Sequence, residues 1–247
     1  MNRRSSLKFG IACILCGRAN LSAYSGEVVH IGCALISGGN RTSTGIGVFP
    51  GELNQGSGDP QLDRKLGKAL ARLSSTFAVR PNFSFYDDKD GENALATDVE
   101  GDTPGTHGLV LMGRGLFSQL LQRFGDNGMA VLLVLAHEFG HIAQFQRKAY
   151  GTLVGADGKS KLAELHADLL AGYYLGRRKA ELPNLSLREA GLSLFQIGDF
   201  QFNAIDHHGT PKERVASAEK GFAMARSRNF NDVFDEGRDW ILQSFQA

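Results

Sequence analysis

The chain has 247 residues, 42% of them hydrophobic and 21% charged, enough for one domain with a sizeable core or at most two small ones. Its 27 Lys and Arg residues nearly balance its 26 Asp and Glu residues, so neither nucleic acid nor an anionic membrane surface is indicated as a partner. No uncharged apolar run reaches the length of about 20 residues that a membrane span requires.

Residues 1–25 have the features of an export signal. Arg3 and Arg4 give a positively charged start, a short apolar run follows at 9–17, and small residues at 23–25 offer a cleavage site. The paired arginines suggest the twin-arginine route. The sequence therefore favours an exported protein, periplasmic or secreted, whose signal is either cleaved or retained. A cytoplasmic protein with an ordinary N-terminus is the alternative.

The rest of the chain divides into a Gly-rich lead-in at residues 26–58 and a domain at residues 59–247. The composition leaves open whether the lead-in is a propeptide. The domain begins with a strong helix start, because Asp59 is a good N-cap and Pro60 fits the first helical position. Leucines at helical spacing follow as far as Leu73.

Three short strands are predicted next, at 83–86, 94–99 and 108–112. The first two flank an acidic turn at 87–91, which predicts a hairpin with a solvated tip. The remaining sequence predicts helices at 116–124, 129–150 and 162–175, two helices opened by capping boxes at 186–189 and 210–213, and a last helix at 234–245. The pattern predicts an α+β domain in which a small, mostly antiparallel sheet packs on a helical bundle.

His137, Glu138 and His141 form the pattern His-Glu-x-x-His in an apolar stretch. Residues four apart on a helix share a face, so both imidazoles can reach one cation. Glu138 lies about 100° round the helix, where it can take a proton from a water molecule at the metal. The pattern predicts a catalytic metal site. The alternative is that the two histidines lie on the surface. This alternative fits poorly, because a helix that is apolar all round offers little surface for them.

A catalytic zinc ion needs three protein ligands and an open position. Glu164, 23 residues after His141, is predicted to supply the third ligand from a later helix. Asp168 shares its face and is predicted to orient a ligand histidine through the outer ring nitrogen. His166 leaves the helix on another side, so we expect it to take little part in metal binding. An exposed acidic pair is the alternative, although its like charges would repel.

His-Glu-Phe-Gly-His at 137–141 followed by Glu-Leu-His-Ala-Asp at 164–168 resembles the gluzincin zinc metallopeptidases, whose signature is HExxH and then ExxxD. The resemblance is to the bacterial neutral zinc metallopeptidases and to the soluble catalytic core of the CAAX-prenyl endopeptidases. It implies a zincin-like fold with the active-site helix at its centre. It also implies one zinc ion on the two motif histidines and Glu164, with Asp168 behind a ligand and Glu138 as general base.

The resemblance extends over about residues 83–220. The segment 93–97, followed by the strand at 108–112, resembles the family's lead-in to the zinc motif. In zincins that strand is the sheet edge that pairs with an extended peptide substrate. We therefore expect the strand at 108–112 to lie at the edge of the sheet.

Further downstream, His208 and Arg214 lie in a segment similar to the one that follows the third ligand in these families. The oxyanion formed in peptide hydrolysis needs a donor besides the metal, often His, Tyr or Arg. His208 or Arg214 is predicted to be that donor, and His207 is an alternative to His208. The other interpretation is that the histidine only packs at the start of a helix.

The sequence thus predicts a zinc-dependent endopeptidase, a hydrolase that acts on a peptide or protein through a water molecule activated by one Zn²⁺ ion. One alternative is a zinc amidase that acts on cell-wall peptides. Another is a zinc-binding scaffold or chaperone without turnover, against which the intact set of chemical residues argues. The sequence carries no signal for cleavage specificity or oligomeric state.

Overall fold

In a computed structural model, the described residues of the protein are 56–88, 93–98, 104–124, 128–154, 158–185, 187 and 208–245. The predicted export signal, nearly all of the Gly-rich lead-in, His207 and, apart from residue 187, the helix start predicted at 186–189 lie outside these residues. None of the helices in this part of the chain is long and apolar enough to cross a membrane.

The described residues form an α+β fold, as predicted. Its elements are α1 (Pro60–Phe77), β1 (Asn82–Tyr86), β2 (Ala94–Thr97), β3 (Leu109–Gly113), α2 (Arg114–Phe124), α3 (Met129–Gln146), α4 (Tyr150–Val154), α5 (Lys161–Glu181), α6 (Pro211–Met224) and α7 (Phe230–Phe245). Two predicted helix starts are confirmed. Asp59 caps α1, and a capping box opens α6.

The three strands form one sheet in the order β1-β3-β2. β3 runs parallel to β1 and antiparallel to β2. The prediction of a mostly antiparallel sheet is therefore wrong, because one of the two pairings is parallel. The predicted hairpin is also wrong, because β3 lies between β1 and β2. The strand predicted at 108–112 is central, and β2 is the edge strand next to it.

A buried acid lies where the solvated hairpin tip was predicted. Asp88 is 8% exposed. Its carboxylate accepts hydrogen bonds from the backbone amides of Asn93 at 3.2 Å, Gly115 at 2.7 Å and Leu116 at 3.0 Å. Gly115 and Leu116 belong to the first turn of α2, where amides have no partner within the helix. Asp88 thus ties the end of β1 to the start of α2.

α3 is the central element of the described fold. It contacts α1, α2, α4, α5 and the strands β2 and β3. Fifteen of its residues are buried, which matches its apolar sequence. It ends at Gln146, earlier than predicted, because the backbone turns at Lys148, where φ is 56°.

α5 and α6 cross with their backbones in contact. A Cβ atom on Gly172 would lie 1.9 Å from the carbonyl oxygen of Ala218. One on Gly221 would lie 1.8 Å from the carbonyl oxygen of Leu169. Glycine is required at both positions, because any side chain would overlap the opposite backbone. Because the two helices approach so closely, the first turn of α6 lies against α5.

Candidate metal centre

Three side chains from two helices converge at one point in the core. The Nε2 atoms of His137 and His141, on α3, lie 3.1 Å apart. Glu164, on α5, places Oε2 at 3.3 Å from the first Nε2 atom and Oε1 at 3.5 Å from the second. Their ligand atoms all lie within 4.8 Å of one another. The three residues are almost completely buried, with exposures of 1%, 0% and 0%.

The outer ring nitrogens fix the tautomer of both imidazoles. Nδ1 of His137 lies 2.9 Å from Oδ1 of Asp168, and Nδ1 of His141 lies 3.0 Å from Oε1 of Gln144. Both partners are oxygens that accept, so each Nδ1 carries the hydrogen and donates it. Each Nε2 atom therefore turns a lone pair towards the other and towards Glu164.

The chemistry of this donor set fits a cation. Both carboxylate oxygens of Glu164 lack a hydrogen-bond donor among the described residues. When both imidazoles are neutral, their two lone pairs and the buried carboxylate face one another and repel unless a positive charge, either a proton or a metal ion, lies between them. His137, His141 and Glu164 could therefore bind a metal ion.

Asp168 and Arg214 form a buried ion pair behind His137. Nε of Arg214 donates to Oδ2 of Asp168 at 2.8 Å, and Nη2 donates to Oδ1 at 2.8 Å. Both side chains are fully buried. The carboxylate thus accepts from the imidazole on one side and from a two-pronged guanidinium on the other. Arg214 therefore holds Asp168 in place, a structural task that the sequence did not reveal.

A different set of groups lies behind His141. The amide nitrogen of Gln144 donates to the carbonyl oxygen of Ala163 at 2.8 Å and lies 3.2 Å from Nδ1 of His166. Nε2 of His166 lies 3.0 Å from the carbonyl oxygen of Phe234 on α7. His166 does point away from the metal group, as helix geometry predicts. Through Gln144 it is nevertheless connected to a ligand histidine.

Glu138 is the fourth chemical residue of the motif. It is 0% exposed, and neither of its carboxylate oxygens has a hydrogen-bond partner among the described residues. Burial raises its pKa to about 8, and the charge of Glu164 adds to the rise, whereas that of His137 opposes it. A cation at the neighbouring group would lower this pKa, because an opposite charge favours the carboxylate.

Protons and a metal ion compete for the same ligand atoms. Burial acts to lower the pKa of His137, but its hydrogen bond to Asp168 and the negative charges of Asp168 and Glu164 raise it to about 9. Burial acts to raise the pKa of Glu164, but the charges of the two histidines bring it well below its usual value. A metal must therefore displace a proton from His137 at neutral pH.

The remaining predicted residues lie near the start of α6. His208 is buried, with 6% exposure. It does not belong to the group of ligand atoms that could hold a metal. Its role as oxyanion donor stays a prediction, as does that of Arg214. Gln144 was missed by sequence reasoning. The available signal was a polar residue one turn after His141 on a helix that is otherwise apolar.

A cavity of about 300 Å³ lies beside the C-terminal half of α3. Its lining joins the end of β2, the start of β3 and the last turns of α3, through Asp98, His107, Gly108, Ile142, Phe145 and Gln146. Phe145 also stacks on the ring of His141, with centroids 6.4 Å apart. The cavity therefore adjoins both the edge strand and a residue packed against the metal group.

Comparison with known proteins assigns the chain to no family: no family model, no curated protein and no solved structure matches it. Its chemistry is therefore inferred from the geometry of its own residues.

Proposed function

We propose that this protein is a zinc-dependent peptidase. One observation carries the proposal. Three lone-pair donors, from His137, His141 and Glu164, converge beside the buried carboxylate of Glu138, which has no hydrogen-bond partner among the described residues. A binding site for a structural metal needs the converging donors but has no use for an additional unpaired acid. A hydrolytic site needs both.

Zinc is the metal that this donor set favours. Two imidazoles and one carboxylate form the three-ligand set of several catalytic zinc sites, in which a fourth position stays open. The ion would supply Lewis acidity, which polarises a carbonyl group and lowers the pKa of water. The chain's own task is to hold the three ligands deprotonated and correctly oriented. Asp168 and Gln144 perform that task through the two Nδ1 hydrogens.

Glu138 would move the proton in the reaction. Its carboxylate takes a proton from the attacking water, whose oxygen forms the new bond to the peptide carbonyl carbon. The same carboxyl group then gives the proton to the leaving nitrogen as the C–N bond breaks, so that Glu138 ends the cycle ionised. Burial raises the pKa of this carboxyl group and a bound cation would lower it again, so the two effects together could bring the base close to the working pH, where it both accepts and returns a proton readily.

The edge strand supports a peptide as the substrate. β2 pairs with β3 on one side, and no strand among the described residues pairs with its other side. β2 also contacts α3, which carries the metal group. An extended peptide adds to such an edge through backbone hydrogen bonds. The cavity at the end of β2 would then take a substrate side chain.

For the oxyanion donor, His208 is the stronger of the two candidates. Nε and Nη2 of Arg214 are engaged with Asp168. His208 lies just before the capped start of α6, where backbone amides also favour negative charge.

A zinc-binding scaffold without turnover is the second candidate function, and burial favours it. None of the three donors is more than 1% exposed, and Glu138 is 0% exposed. A peptide can reach these groups only if part of the chain moves, as lids and loops do in many enzymes. A structural zinc ion needs no such movement.

The two functions are separated by measuring zinc content and casein hydrolysis in the same preparations. Glu138→Gln is compared with wild type and with Glu219→Gln, an exposed control on α6. We expect one zinc ion in each protein. We expect activity to fall about 10²–10⁴-fold in Glu138→Gln alone, because an amide does not accept the proton. A chelator should abolish wild-type activity, and added zinc should restore it.

Zinc-loaded wild type without hydrolytic activity would support the scaffold. Full activity in zinc-loaded Glu138→Gln would remove Glu138 from the mechanism. A chain that binds no zinc would overturn both functions.

A further inference from the structure

We infer that Gln144 and His166 are positioning residues that set the tautomer of His141, and that through them the metal centre depends on the docking of α7. The inference rests on the proposed metal site but not on catalysis.

The orientation of the Gln144 amide is the first step. An amide side chain can rotate so that its oxygen and nitrogen exchange places. Here the nitrogen lies 2.8 Å from the carbonyl oxygen of Ala163, which can only accept. The nitrogen must therefore face Ala163, and the oxygen must face Nδ1 of His141 at 3.0 Å. This orientation obliges His141 to carry its hydrogen on Nδ1.

The second step is the tautomer of His166. Its Nε2 atom lies 3.0 Å from the carbonyl oxygen of Phe234, which also can only accept. Nε2 therefore carries the hydrogen, and Nδ1 offers a lone pair to the second amide hydrogen of Gln144 at 3.2 Å. In this series of hydrogen bonds every donor points away from His141. The series starts at His141 and passes through Gln144. It ends at the carbonyl oxygen of Ala163 and, through His166, at that of Phe234.

The alternative arrangement would disable the metal group. If the Gln144 amide were reversed, its nitrogen would face Nδ1 of His141, and the hydrogen of that ring would move to Nε2. A protonated Nε2 atom has no lone pair for a metal. Both hydrogen bonds of the amide nitrogen, to Ala163 and to His166, oppose this reversal. His166 thus acts on the metal group without contacting it.

α7 supplies the last acceptor of this chain. The ring of Phe234 packs edge-on against the ring of His166, with centroids 4.9 Å apart. The guanidinium of Arg147, just after α3, lies 4.5 Å from the centroid of the same Phe234 ring. His166 and Gln144 are both 0% exposed, so no water replaces a hydrogen bond that is lost when α7 shifts.

The test measures zinc binding and the His141 tautomer in the full chain. The variants are Gln144→Met, which keeps the length of the side chain without its amide, and His166→Phe, which keeps a ring without its nitrogens. Val110→Ala is the matched control, because Val110 is a buried residue of β3, not of α7, and its side chain cannot hydrogen-bond. Zinc affinity comes from competition with a chelator. The tautomer comes from ¹⁵N spectra of histidine-labelled protein.

We expect wild-type His141 to carry its hydrogen on Nδ1, in the zinc-loaded and in the metal-free protein. Gln144→Met and His166→Phe should each lower zinc affinity about 10–100-fold, the usual effect of losing a partner behind a ligand. Gln144→Met should also lose the Nδ1 proton signal. Val110→Ala should keep the wild-type affinity even though its fold is less stable.

Three results would overturn the inference. They are a hydrogen on Nε2 of His141 in wild type, wild-type affinity in both variants, or an equal loss of affinity in Val110→Ala. The wild-type tautomer decides the matter even if His166→Phe does not fold. If wild type binds no zinc, the proposed function fails, but the tautomers of the metal-free wild type and Gln144→Met still test the positioning role.

Discussion

The two histidines of the metal centre are held in different ways. Behind His137 lies a charged pair, in which Asp168 accepts from the imidazole and from Arg214 of α6. Behind His141 lies a neutral chain, in which Gln144 connects the imidazole to His166 and so to α7. Both arrangements leave a lone pair on Nε2, but only the first adds charge to the core.

This difference shows how the charges of a buried site can add up to zero. Glu138, Glu164 and Asp168 bring three negative charges, and Arg214 brings one positive charge. A divalent cation would supply the remaining two, which would make the loaded site neutral. A second acid behind His141 would leave an uncompensated buried charge, which costs several kcal/mol. A neutral amide provides the same orientation without that cost.

The largest expected effect is on zinc binding, and it comes from removing Glu164, the carboxylate that both histidines face. Glu164→Ala should abolish stoichiometric zinc binding, because two imidazoles alone make a weak site. Asp168→Ala should weaken zinc binding about 10–100-fold. The measurement is zinc content after dialysis against a weak chelator, with Glu219→Ala as an exposed control. Stoichiometric zinc in Glu164→Ala would show that the two histidines face some other ligand.

The next largest effect is on the free energy of unfolding. It distinguishes the charged pair behind His137 from the neutral groups behind His141. Arg214→Met leaves the Asp168 carboxylate buried without its partner, so unfolding free energy should fall by about 3–5 kcal/mol. Gln144→Met leaves only neutral groups unpaired and should cost about 1–3 kcal/mol. Urea unfolding of both proteins measures the two losses. The double variant Asp168→Asn with Arg214→Met should recover part of the larger loss. Equal losses in the two single variants would remove the distinction.

The smallest effect is a difference in pH dependence of the metal-free protein. The folded-state pKa of His137 is about 9, above the ordinary value of 6.5. Its contribution to stability is fully present below pH 6.5 and is lost as the pH rises through 9. Burial lowers the pKa of His166 to about 3. Protonation of His166 therefore favours the unfolded state, and stability falls as the pH drops from 6.5 towards 3.

Urea unfolding between about pH 4 and pH 9 measures both limbs. His166→Phe should flatten the acid limb, and Asp168→Asn should flatten the alkaline limb. Glu138, whose folded-state pKa is raised from 4.5 to about 8, lowers stability as the pH rises from 4.5 through 8 in every variant, so the comparison uses differences from wild type. An unchanged acid limb in His166→Phe would show that His166 does not titrate in this way.

Much of the metal group follows from helical spacing alone. Residues four apart share a face, which places His137 beside His141 and Glu164 near Asp168. The structure brings these four residues together at the predicted positions. The α+β class and the strand segments also follow from local pattern.

Partners that depend on tertiary packing do not follow from spacing. The side-chain direction of His166 follows from its place on α5, but the groups that it meets belong to α3 and α7. The pairing of Arg214 with Asp168 depends on how α6 crosses α5. The order of the strands, with β3 between β1 and β2, depends on pairing between segments that are distant in sequence. The alternation that predicts a strand does not specify its neighbour.

The glycines at the contact between α5 and α6 are needed for the geometry of the site, as its ligands are. Gly172 and Gly221 let the two backbones touch, and that contact sets Arg214 against Asp168. Gly172 comes eight residues after Glu164, and Gly221 comes seven after Arg214. Distant relatives that keep this ion pair should therefore keep glycine at both spacings. A sequence signature that joins the glycines to HExxH and ExxxD would recognise such relatives more specifically than the ligands alone.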